Sequence, residues 1–153
     1  MKQSVNLFWF SVIVFSFSSC SFQCEDCFTP PPEIRLKIVD SEGNNLVESG
    51  IYAPDSIQLY YIDNGNRKEV GFELPTYYPY YVYTIYTTEL TWLSIDKTQD
   101  FYLRLNYLDT DTLTVSVKEK HDDCCTYFDL VKFDTNGEQA EYNSVEYLFL
   151  LRK

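Results

Sequence analysis

The sequence predicts an all-β fold, a single antiparallel β-sandwich of about eight strands following an export leader. Three observations carry this. Tyr (14) and Phe (11) are abundant while Gly (5) and Met (1) are scarce, and β-branched residues fill many of the remaining positions. Apolar residues alternate with polar ones in segment after segment. Short turn signals such as Asn64-Gly65 and Asn136-Gly137 recur between those segments. The aromatic content is also too high for a disordered chain.

The leader comes first. Met1-Lys2-Gln3 carries one positive charge, and Leu7–Phe17 is an apolar run. That run has the length of a signal-peptide core and falls short of the roughly 20 residues that span a bilayer as a helix. Phe17-Ser18-Ser19-Cys20 then places small residues before a thiol that can be acylated. This pattern resembles the bacterial lipobox, with Phe17 where Leu is usual. The resemblance implies cleavage after residue 19 and a lipid on Cys20, the expected lipidation site. Gln23-Cys24-Glu25-Asp26 resembles the acidic surface-export signal of Bacteroidota lipoproteins, with Cys24 where Ala is common. It implies an outer-membrane protein, turned to the cell surface if that signal operates and to the periplasm if it does not.

Residues 20–33 read as a lipidated, acidic and Pro-rich tether ending in Thr29-Pro30-Pro31-Pro32, and residues 34–153 as the sandwich domain. Removing residues 1–19 leaves 134 residues, enough for one core. It also leaves 11 basic against 23 acidic residues, a net charge of −12. That charge argues against a nucleic-acid partner and against adsorption to anionic lipid, so membrane attachment rests on the acyl chains.

Within the domain, Ile34, Leu36 and Ile38 alternate with Arg35 and Lys37, the pattern of a half-buried strand. Ser56–Asp63 and Arg67–Leu74 form a hairpin about Asn64-Gly65. Tyr77–Tyr86 reads as a strand that Pro79 confines to a starting or edge position. Leu90–Ile95, Phe101–Leu108, Thr112–Lys120, Tyr127–Asp134 and Tyr147–Arg152 complete the set. No segment reads as a helix. The stretch Ile-x-Leu-x-Ile-x-Asp-x-x-Gly-x-x-Leu over 34–46 resembles the opening of transthyretin-like or carboxypeptidase-regulatory-like sandwiches. An immunoglobulin-like label is architectural only, because the Cys–Trp–Cys core pattern is absent. Asp109-Thr110-Asp111-Thr112-Leu113 with Cys124-Cys125-Thr126-Tyr127 resembles a family of small uncharacterised Bacteroidota lipoproteins, which supports class and location and brings no activity.

Four cysteines besides Cys20 remain: Cys24, Cys27, Cys124 and Cys125. In an exported chain an even number favours disulfides, with three connectivities open. A thiolate zinc site using these four and His121 is the competing reading, and a redox Cys-x-x-Cys a third. Disulfides are preferred, no metal site is assigned, and the covalent lipid is the one cofactor expected. Asp109-x-Asp111 and Asp134-x-Asn136-x-Glu138 have oxygen-ligand spacing but fit turns better. No nucleophile elbow, phosphate loop or paired acid and base is evident.

The expected function is therefore a non-enzymatic binding or accessory module at the cell envelope, with a protein or glycan partner. Tyr80, Tyr81, Tyr83 and Trp92 are the candidate contact residues, since exposed rings stack on sugars or anchor proteins. The alternatives are an envelope hydrolase using carboxylates of raised pKa, and a structural subunit of a larger outer-membrane complex.

Overall fold

A computed structural model describes residues 27–77, 82–122 and 125–153. They form two packed sheets, the sandwich that the alternation predicts. The elements are β1 (Cys27–Phe28), β2 (Ile34–Val39), β3 (Gln58–Asp63), β4 (Asn66–Glu69), β5 (Ile85–Thr87), α1 (Glu89–Trp92), β6 (Thr98–Arg104), β7 (Thr110–Asp122), β8 (Cys125–Thr135), β9 (Glu138–Gln139), β10 (Glu141–Asn143) and β11 (Leu148–Arg152). One sheet runs β1-β8-β7-β6-β3-β4, with β9 also on β8, and the other runs β10-β11-β2-β5. Pairing is antiparallel except where β1 meets β8 and β2 meets β11.

The alternating residues face one core. Ile34, Leu36 and Ile38 of β2 meet Leu59 of β3, Phe101 and Leu103 of β6, and Leu113, Val115 and Val117 of β7, all at most 1% exposed. Each such side chain contributes about 1.5–3 kcal/mol by leaving water. The turns follow their chemistry. Asn64 and Gly65 have φ of 49° and 77°, and Asn136 and Gly137 have 53° and 85°. Two successive positive φ values make the tight hairpin turn that Asn-Gly favours.

The chain departs from the expected elements at several points. Leu90–Ile95 is not a strand: α1 occupies Glu89–Trp92 and turns the chain between the sheets. Leu90, Thr91 and Ser94 are buried while Glu89 and Trp92 are exposed, a helical pattern too short to separate from alternation by period alone. The Glu89 carboxylate also accepts the Gly71 N–H at 2.6 Å, tying this turn to the opposite connection. Residues 78–81 of the tyrosine-rich stretch lie outside the described residues; among its described residues only Ile85 and Tyr86 are strand, in β5. The return from Asn64-Gly65 pairs only through Glu69.

β7 and β8 are the longest strands, with 13 and 11 residues. They run past the end of β6, whose last partner on β7 is Ser116. The sandwich thus has two distinct ends. The tip of the β7–β8 hairpin lies at one, and the β6–β7 connection at the other, about 40 Å away along β7.

Candidate functional site

At the hairpin tip the incoming chain is fastened to the sheet. Cys27 and Cys125 form a disulfide, with Cα atoms 4.6 Å apart. They are direct partners in the β1–β8 pair, as are Phe28 and Thr126. The Thr29 N–H continues the ladder to the Thr126 carbonyl at 2.9 Å, and Pro31 is buried. The stretch 27–33, read from sequence as part of the tether, is therefore held by the domain at its start. The disulfide also removes two thiolates from the proposed zinc set. His121, its fifth member, faces Thr126 Oγ1 at 3.1 Å and Glu119 Oε1 at 3.4 Å. Cys20, Cys24 and Cys124 lie outside the described residues.

Three aromatic rings gather beside this disulfide. Phe28 stacks on Trp92 with centroids 6.2 Å apart, and both rings meet Phe128, at 5.7 and 5.9 Å. Register explains Phe28: it follows the disulfide and lies opposite Thr126, two residues before Phe128. Trp92 arrives from α1. Phe128 packs against the margin of the core, whereas Phe28 is 57% and Trp92 45% exposed.

Of the expected contact residues, Tyr80 and Tyr81 lie outside the described residues. Tyr83 is half-buried against the core with φ 56°, and its carbonyl accepts from the Asn45 amide at 3.1 Å. Tyr83 precedes β5 and Trp92 follows it, so the two sit beyond opposite ends of that strand.

The far end carries a feature that sequence reading missed. The loop between β6 and β7 displays Tyr107 and Leu108, 81% and 80% exposed. Ile51, 64% exposed, stands on the neighbouring loop. The display is braced from beneath. The Asn106 carboxamide oxygen accepts the N–H groups of Leu108 and Asp109 at 2.8 and 2.9 Å. The Tyr52 hydroxyl donates to Asp109 Oδ2 at 2.5 Å, and Ser56 Oγ to the Leu105 carbonyl at 2.6 Å, joining the two loops. Lys153 Nζ lies 2.7 Å from Asp109 and 2.5 Å from Asp111. Asn136 completes the cluster by donating to Asp111 at 2.7 Å. The Asp109-x-Asp111 pair thus holds an ammonium, and Asn136 serves the turn and Asp111 together. A strand expected to run through Leu108 concealed the loop; the Asn three residues before Asp was the available signal.

Burial pushes the Asp109 carboxyl up, but the Lys153 ammonium and Tyr52 hydroxyl outweigh it and hold it below the usual range. Burial, and then Asp109 itself, push the Tyr52 phenol well above its ordinary value. Asp40, Asp96 and Glu141 are likewise lowered, chiefly by hydrogen bonds from Asn44, Lys118 and Arg152 respectively. These shifts oppose what a carboxylic acid needs to donate a proton near neutrality.

No family model matches the chain, and no curated protein or solved structure is significantly similar to it.

Proposed function

We propose that this chain is a lipid-anchored protein of the bacterial outer membrane that works as a binding or accessory module. Cys20 carries the lipid, and the loops of the far end meet a protein partner. The observation that carries the partner reading is the Tyr107–Leu108 loop. Two large apolar side chains stand in solvent on a backbone fixed by Asn106, Asp109, Tyr52 and Lys153. A rigid display of this kind lowers the ordering cost of association, and aromatic anchors contribute heavily to interfaces. The Cys27–Cys125 disulfide supports export, because such bonds persist in oxidising compartments. The lipobox-like Phe17–Cys20 supports the anchor.

A photo-crosslinking residue at position 107, in cells of the source organism, tests the partner reading. It predicts a discrete protein adduct that the same probe at exposed Lys68 does not give. Identical, diffuse labelling from both positions would count against it.

A further inference from the structure

We propose that the Phe28–Trp92–Phe128 cluster rests on the interface of the bilayer that holds the anchor. This rests on the reading of Cys20 as the lipidated residue.

The length of chain outside the structure sets the geometry. Six residues separate Cys20 from Cys27, so seven Cα–Cα steps set a reach of at most about 25 Å. The disulfide fixes Cys27 to β8, so nothing beyond it can pay out as further tether. The opposite end of β7 lies about 40 Å away, beyond that reach. The hairpin tip is therefore the part of the domain that the anchor draws to the membrane.

The side chains at that tip suit an interface. Phe28 and Trp92 are stacked and about half exposed, so they do more than complete the core. Trp places an apolar ring and a polar N–H at the boundary of water and lipid, where such rings concentrate. The acidic mature chain is repelled by anionic headgroups, which makes a zwitterionic surface the fitting partner.

The mature chain carries its own probe. Of two tryptophans, Trp9 leaves with the leader and Trp92 remains. The lipidated protein is reconstituted in phosphatidylcholine vesicles with bromine on either shallow or deep acyl carbons, and its N terminus is checked by mass. The expected result is a shift of Trp92 emission to shorter wavelength, relative to the leaderless, unacylated residues 20–153 in solution, with quenching stronger for shallow than for deep bromines. Phe28→Glu should lose most of that quenching while still floating with the vesicles. Acylated, vesicle-bound wild type whose emission ignores both bromine positions would overturn the contact and leave the anchor standing. An unacylated N terminus would overturn both together.

Discussion

Cys27 and Cys125 are direct partners in a parallel strand pair, their Cα atoms 4.6 Å apart, although they lie 98 positions apart in sequence. The bond closes β1 through β7 into one loop and leaves most of β8 and all of β9 to β11 outside it. It also decides where the domain begins to resist a pull from its N-terminal side. β1 has only two residues, so the covalent bond rather than the ladder carries that attachment.

Replacing both cysteines by serine should lower stability by about 2–5 kcal/mol, the range for native disulfides of exported domains. Chemical denaturation of the two proteins measures it. Peptide mapping without reductant should find Cys27 joined to Cys125. A double variant as stable as the parent would mean that the bond contributes nothing to folding.

Lys153→Met should destabilise the domain by about 3 kcal/mol, because it leaves the Asp111 carboxylate, only 4% exposed, without its cation. Asp109 would lose the same partner. Thermal unfolding of the variant checks this, and an unchanged melting temperature would remove the brace from the account.

Stability should fall on acidification. The folded Asp109 carboxyl titrates below its unfolded value. Its contribution is therefore complete above the ordinary carboxylate pKa of about 4 and is lost as pH falls through the lower folded value. Melting temperatures measured downward from neutrality should decline below about pH 4. Asp109→Asn should be less stable at neutral pH and show a shallower decline. An equally steep decline in that variant would place the acid sensitivity elsewhere.

Tyr107→Ser with Leu108→Ser should leave stability within about 0.5 kcal/mol of the parent, since both side chains already stand in water. By contrast Phe101→Ala, at a fully buried position, should cost about 3–5 kcal/mol. Denaturant midpoints of the two variants separate these outcomes. A large loss from the loop variant would show that Tyr107 and Leu108 serve the fold rather than a partner.

The strands were most legible where a single residue decided little. Ile34–Ile38 and Leu113–Val117 bury one face over several residues, and their period survives any local detail. Leu90–Ile95 failed because four residues of helix show no period, and the choice fell to tertiary ties such as Glu89 to Gly71. The Cys27–Cys125 pairing was one of several open connectivities, since nothing local links β1 to β8. The proposed contact residues are the least legible. Tyr is densest over 77–86, while the exposed Tyr107 owes its display to Tyr52, Asp109 and Lys153, which come from three separate parts of the chain.

The central claim is that Cys20 is acylated and holds the sandwich at the membrane. Fractionation of cells producing wild type and Cys20→Ala, with metabolic labelling by a tagged fatty acid, tests it most directly. The account predicts label and outer-membrane sedimentation for the wild type, and an unlabelled, released protein for Cys20→Ala. An unlabelled wild type, or a Cys20→Ala protein that still sediments with the outer membrane, would contradict it.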